Sequence, residues 1–183
     1  RVCFDKPIRI VVPEEAAGAT LDVQRGCVDL ARAESKTVTV SVTPDAGKLV
    51  WQHPWTTSYD VNAATPLVVG PNRVFIASGY ASGGALLDLT TGTPAELWRS
   101  KATKNQMATS VLSNGWLYGF NSDRLAAVNL ETGEAAYNEL GWGIGTLILV
   151  DGHLVIASQD GRVGVAPATP TGLATVGTTY QIL

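Results

Sequence analysis

The chain carries two histidines, His53 and His153, the side chains whose ordinary pKa best suits proton exchange near neutral pH. His153 follows Asp151-Gly152 at the head of an apolar run, and the matching places earlier in the chain hold Trp116 and Arg73. A place filled by three unrelated side chains reads as packing or surface rather than catalysis. His53 stands in a Pro-flanked, aromatic-rich connection, the kind of segment that more often carries function.

Ser58, Tyr59, Asp60 and Asn62 gather hydroxyl, carboxylate and amide groups in one irregular stretch, and are candidate ligand-binding residues. The alternative is a loop whose side chains bond their own backbone. Trp142, between Gly141 and Gly143, presents a flat indole that can stack on a planar cofactor or a sugar, or can pack between sheets. Asp45, Asp88 and Asn129 recur just before glycine turns. Converging carboxylates are one reading, and repetition favours the other, an Asx-type cap on nearby backbone N–H groups. No GxSxG elbow, P-loop or HExxH occurs, so no catalytic residue and no metal ligand is assigned.

Cys3 and Cys27 are the two cysteines. One disulfide would close a loop in the first 30 residues and suit an oxidising compartment, whereas two buried thiols would carry no such message. Their spacing excludes CxxC redox and c-type haem motifs.

These residues need elements to position them. The composition is globular, 45% hydrophobic and 16% charged, with 19 glycines and nine prolines for frequent turns. Net charge is −3 without a Lys/Arg stripe, which argues against a nucleic-acid partner. The longest apolar runs, such as Thr146–Val150, fall far short of the about 20 residues that span a bilayer. The chain opens at Arg1 with its one Met at 107, as expected of a processed product or a piece of a longer protein.

Three turn motifs recur in the same order. Gly70-Pro71-Asn72, Asn114-Gly115 and Asp151-Gly152 come first; Ser82-Gly83-Gly84, Ser122-Asp123 and Asp160-Gly161 second; Thr91-Gly92, Thr132-Gly133 and Thr171-Gly172 third. The last glycines are 41 and then 39 residues apart, near the ~40–50-residue period of propeller blades. Four strands fit each period: in the middle unit Thr109–Ser113, Trp116–Phe120, Arg124–Asn129 and Glu134–Tyr137. Asn-Gly between apolar runs is a hairpin turn, because both central residues need positive φ. Runs such as Leu147-Ile148-Leu149-Val150 are apolar on both faces, which requires a sheet on either side. The expected fold is therefore all-β, a β-propeller of four-stranded antiparallel blades, three to four of them in this chain.

Gly115-Trp-Leu-Tyr-Gly-Phe-Asn-Ser-Asp-Arg-Leu-Ala-Ala-Val-Asn-Leu-Glu-Thr-Gly133 resembles the pyrroloquinoline-quinone-like (PQQ-like) repeat, and Asp88-Leu-Thr-Thr-Gly92 with Leu97-Trp98 resembles its ending, as does Asp45-Ala-Gly-Lys-Leu-Val-Trp51. The resemblance covers about residues 44–183 and implies that Trp51, Trp98 and Tyr137 dock between blades, with Val176 departing from the pattern. Residues 1–43, with alternating Thr37–Val42 and a possible helical turn in Val28–Glu34, form either a diverged blade or a β-sandwich fragment.

The resemblance implies two classes of function. One is a non-catalytic scaffold, periplasmic or secreted, that binds a protein or polymer partner through loops between blades and needs no cofactor. The other is a fragment of a quinoprotein dehydrogenase with PQQ and calcium; the adjacent cysteines typical of that group are missing. Three recognisable blades do not close a ring of the usual four to eight. Either residues 1–43 complete a small ring, or further blades come from another copy, another chain or a longer parent, and the second is expected.

Overall fold

The computed structural model describes residues 50–80 and 82–174, the side chain of Asp60 excepted, together with the backbone of residue 49, of the strands before it and of the strand Tyr180–Gln181. The chain divides into two compact units, Arg1–Trp55 and Thr56–Leu183.

In the first unit, β1 (Val2–Cys3), β2 (Ile8–Val11), β3 (Thr20–Val23), β4 (Cys27–Val28), β5 (Thr37–Val42) and β6 (Leu49–Trp55) pair as three antiparallel ribbons, β1 with β4, β2 with β3 and β5 with β6. The β1–β4 register sets Cys3 directly opposite Cys27. Opposed Cα atoms in an antiparallel pair lie about 4.5–5.5 Å apart, within the span a disulfide bridges. The helical turn expected in Val28–Glu34 lies outside the described residues, apart from Val28 in β4. So does Asp45.

The second unit is built from three meanders. β7 (Leu67–Gly70), β8 (Arg73–Ser78), β9 (Gly83–Asp88) and β10 (Ala95–Ser100) form the first sheet. The second comprises β11 (Val111–Ser113), β12 (Trp116–Asn121), β13 (Arg124–Asn129) and β14 (Ala135–Glu139). The third comprises β15 (Gly145–Val150), β16 (His153–Ser158), β17 (Arg162–Pro167) and β18 (Tyr180–Gln181). Each strand pairs antiparallel with its neighbours in sequence, as expected of propeller blades.

The turns form as their residues dictate. Asn114 and Gly115 adopt φ of 48° and 78°, and Asp151 and Gly152 adopt 45° and 72°. These are the left-handed conformations a tight two-residue hairpin requires. Asp88 Oδ1 accepts from the Thr90 N–H (2.8 Å) and hydroxyl (2.5 Å), while Asn129 Oδ1 accepts from the N–H groups of Glu131 (2.9 Å) and Thr132 (3.1 Å). The Thr90 hydrogen bonds hold the Asp88 carboxyl below the usual carboxylate range, with Arg73 adding a smaller pull. These polar groups serve the turns rather than a shared site.

Two apolar layers join the sheets face to face. Phe75, Ala77 and Leu86 of the first sheet meet Leu117, Ala126 and Val128 of the second. On the other side of the second sheet, Tyr118, Phe120, Leu125 and Ala127 meet Leu147, Leu154, Ile156 and Ala166 of the third. Alternate residues of β12 thus enter opposite layers, which is why its sequence reads as continuously apolar. Burial raises the phenol pKa values of Tyr118 and Tyr137, so both rings stay neutral in the second layer.

Trp98 bridges the first two sheets. Its indole N–H donates to the Leu130 carbonyl (2.8 Å), and its ring lies 5.9 Å from that of Phe75. Gly133, at φ 73°, leaves room for the ring: a Cβ there would lie 2.7 Å from Trp98 Cδ2. Gly92 has a similar φ of 78° and nothing within 4 Å. Gly92→Ala is therefore expected to cost only the left-handed backbone penalty, about 1–2 kcal/mol. Gly133→Ala adds displacement of the indole, a further ~1–3 kcal/mol of overpacking. Equal denaturant midpoints for the two variants would show that the ring does not seat on Gly133.

Candidate functional site

Antiparallel meanders send alternate turns to opposite ends of a sheet. One end of the second unit collects the connection 56–66, the turn after β8, the connection 101–110, the turn after β12, the connection 140–144 and the turn after β16. The other end collects the tight Gly and Asx-capped turns. The ligand candidates Ser58, Tyr59, Asp60, Asn62 and Trp142 all lie in connections at the first end.

The connection 56–66 is held by its own polar groups. The Asn62 amide nitrogen donates to Thr57 Oγ1 (3.0 Å), and its oxygen accepts from the Ser78 hydroxyl at the end of β8 (2.6 Å). Asn62 therefore fastens the loop to the first sheet. Ser58 is exposed in the short 3-10 turn Ser58–Asp60. The side chain of Asp60 lies outside the described residues.

Tyr59 is 82% exposed and Tyr80, in the turn after β8, is 43% exposed. Their rings meet edge to face with centroids 5.3 Å apart. Both residues sit in the left-handed region, at φ 62° and 50°. That conformation costs an aromatic residue on the order of 1–3 kcal/mol and persists only where surrounding structure imposes it.

The connection 101–110 is pinned from below. Asn105 is 1% exposed; in the amide orientation that satisfies both ends, it donates to the Phe120 carbonyl (2.9 Å) and accepts from the Ser110 N–H (3.1 Å). The Asn121 side chain accepts from the Lys104 N–H (3.2 Å), and the Lys104 carbonyl accepts from the Ser122 N–H (3.2 Å). Gln106 presses on the turn after β8, where a Cβ on Gly79 would lie 3.1 Å from its Cα. Met107, 70% exposed, follows on the solvent side.

Beside Met107 opens a cavity of about 370 Å³ between the second and third sheets. Buried Ala108 and Phe120 form its floor, Ile144 and Ala157 its walls, and Gln106, Ser122, Ser158 and Gln159 contribute amide and hydroxyl groups. Gly145 is required at its edge, because a Cβ there would lie 2.3 Å from the Ala157 carbonyl oxygen and 2.8 Å from the Phe120 ring. Two carboxylates neighbour the lining in sequence: Asp123, exposed beside Ser122, and Asp160, engaged by the Ser158 hydroxyl and the Arg162 guanidinium. The Ser158 hydrogen bond, then Arg162, hold the Asp160 carboxyl below its usual range.

The remaining candidates are not among the residues that line this opening. Trp142 is 7% exposed; Arg162 stands 5.2 Å over its ring, and a Cβ on Gly164 would lie 2.3 Å from its Cη2, so the indole is packed on the third sheet. Tyr137 packs against the layer between the second and third sheets, and Trp51 is half-buried in β6 of the first unit. His53 is buried near Trp55, with ring centroids 6.3 Å apart. His153 is exposed, its Nδ1 2.8 Å from the Asp151 carbonyl at the opposite end of the sheets. Among the described residues, no group of three or more His, Cys, Asp or Glu side chains could hold a metal ion. No helix among them is long and apolar enough to cross a membrane.

The family model described as outer membrane protein assembly factor BamB matches residues 19–139 of the 183. Among curated proteins, none matches the chain. Among solved structures, BamB from Moraxella catarrhalis aligns with a TM-score of 0.54 and 19% identity, over 74% of this chain and 41% of that one. The computationally designed Ika8 protein aligns with a TM-score of 0.54 and 16% identity, over 85% of this chain and 50% of that one. The designed Ika4 protein gives 0.54 and 14%, over 75% of this chain and 88% of that one. This chain thus spans half or less of the first two. At these identities the likeness concerns the fold.

Proposed function

The chain belongs to the family of outer membrane protein assembly factor BamB, a PQQ-like repeat β-propeller family, and from that premise we propose that it is a non-catalytic scaffold whose connecting loops bind a protein partner outside the cytoplasm, in the periplasm or after secretion. The observation that carries this reading is the uneven character of the two ends. The loop end exposes Tyr59, Tyr80 and Met107, and Met107 borders a cavity lined by no charged side chain. The opposite end spends its polar groups on turn caps. Large apolar side chains grouped on a surface are what partners bury.

The scaffold reading includes further blades, supplied by another copy, another chain or a longer parent, against the far face of the third sheet. A quinoprotein fragment is the competing reading, and it finds no adjacent cysteine pair in the sequence.

Photo-crosslinking in the source cells tests the reading, with a benzophenone amino acid at Tyr59 or Met107 and, for comparison, at Thr91 or Glu134 in the opposite turns. One discrete protein adduct from the loop end alone is expected. Equal labelling from both ends, or no adduct at Tyr59 and Met107, would contradict it. Saturable binding of PQQ in the presence of calcium would favour the dehydrogenase reading instead.

A further inference from the structure

The first unit holds the chain's two cysteines and sets them against each other. β2 pairs with β3 from Ile8 opposite Val23 to Val11 opposite Thr20. Outside that pairing, β1 meets β4 with Val2 opposite Val28 and Cys3 opposite Cys27. Counted outward from Ile8 and Val23, Cys3 lies five residues along one strand and Cys27 four along the other. The two pairings are therefore nested, and the cysteines stand near the open base of one hairpin.

We propose that Cys3 and Cys27 are joined by a disulfide that ties the base of this hairpin, formed by exchange with a disulfide-bearing oxidant. The pairing rests on register and thiol chemistry, independently of the scaffold reading. Its persistence in the cell belongs to the extracytoplasmic half of that reading.

Three observations carry it. First, directly opposed residues of an antiparallel pair have Cα atoms about 4.5–5.5 Å apart, inside the ~4.4–6.8 Å range of disulfides. The inner register is one the sequence itself specifies, with Ile8 opposite Val23, Arg9 opposite Asp22 and Ile10 opposite Leu21. Apolar residues oppose apolar ones and a cation opposes an anion, and a slip of one residue would mismatch them all. Second, no other cysteine competes, so the chain has one intramolecular connectivity. Third, among the described residues neither β1–β4 nor β2–β3 pairs with a further strand. A two-stranded ribbon is marginal in water by itself, and a bridge across its base keeps the two ends together.

The exchange balances with the oxidant as its one co-reactant. One cysteine thiolate attacks a sulfur of the oxidant R–S–S–R and expels RS⁻; the second thiolate attacks the protein-bound sulfur of the mixed disulfide and expels the other RS⁻. The two cysteines lose two electrons to the oxidant's sulfurs, and their two protons end on the released thiols. Opposition across the ribbon makes the second attack intramolecular, so the mixed disulfide does not accumulate.

The test uses the isolated 183-residue chain, reduced, freed of reductant and incubated with oxidised glutathione. Thiols are counted by alkylation after denaturation, and their pairing is read from a non-reducing tryptic map. Expected are no alkylatable thiol, monomer mobility on a denaturing non-reducing gel, and peptide 2–9 joined to peptide 26–32 until reductant separates them. Cys3→Ser, which lacks the second attack, should instead retain glutathione on Cys27. Tryptic cleavage of the undenatured chain after Arg9 is expected at least tenfold faster once the bridge is reduced. Two persistent thiols, two glutathione adducts, disulfide-linked dimers, or a cleavage rate indifferent to reduction would each overturn the proposal. A pair that closes in the isolated chain, yet is free when thiols are trapped at lysis of the source cells, would leave this proposal standing and remove the extracytoplasmic location. Loop-end crosslinks from a chain whose cysteines do not pair would leave the scaffold reading standing and remove this one.

Discussion

Replacing Trp98 with alanine is expected to destabilise the protein by about 3 kcal/mol, toward the lower end of large aromatic truncations because the ring is only half-buried. Three losses combine. The indole leaves the layer that holds Phe75, Leu117 and Val128. The Leu130 carbonyl loses its donor at 2.8 Å. The space above Gly133, kept open by the missing Cβ, becomes a cavity. Trp98→Phe restores much of the packing without the N–H group and is expected to cost about 1–2 kcal/mol. The measurement is the urea midpoint of each variant at constant slope. An unchanged midpoint for Trp98→Ala would mean that the ring carries no inter-sheet contact.

The hairpins of the second unit were legible because their turns impose backbone demands that few residues meet. Asn114-Gly115 and Asp151-Gly152 supply paired positive φ, and strands form on either side of each. Strand ends were less legible where side chains compete for the backbone. The strand expected from Thr109 begins instead at Val111, since Thr109 accepts from the Thr65 N–H and Ser110 bonds the buried Asn105. The fourth strand of the third sheet, Tyr180–Gln181, lies after Gly172 and pairs with Arg162 and Val163. In the first unit, Thr37–Val42 showed its alternation plainly and forms β5.

The candidate site was harder to read. Sequence adjacency drew attention to Ser58, Tyr59, Asp60 and Asn62, and the structure gives Asn62 a loop-fastening role. It could not show that Tyr59 meets Tyr80, because nothing in a tyrosine's chemistry announces a left-handed backbone. The cavity draws on four separated segments near residues 107, 121, 145 and 158, each ordinary by itself. A faint sign existed in Gly79 and Gly145, glycines outside the repeated turns, where another backbone or ring approaches closely.

The second large effect concerns the third sheet. Its strands repeat those of the second, so Val155, Val163 and Val165 occupy the places of Tyr118, Leu125 and Ala127. Those three are fully buried by the third sheet, whereas the three valines remain half-buried, and Ile148 and Val150 beside them are 57% and 47% exposed. Among the described residues of the second unit, no further sheet covers this face. Its valines and isoleucine continue the stacking pattern already used twice, so it is built to receive another blade. Left alone, such a face drives association. Ala127→Asp, inside the closed layer, should unfold the protein, whereas Val165→Asp at the matching open place should lower the melt only by the stabilisation that association supplies. Size-exclusion chromatography with light scattering on the isolated chain, and on its Val165→Asp variant, tests the open face most directly. A mass well above the 19.2 kDa monomer is expected for the unmodified chain, with a return toward it in the variant. A compact, cooperatively melting 19.2 kDa monomer without the substitution would contradict it and point to a closed four-bladed ring.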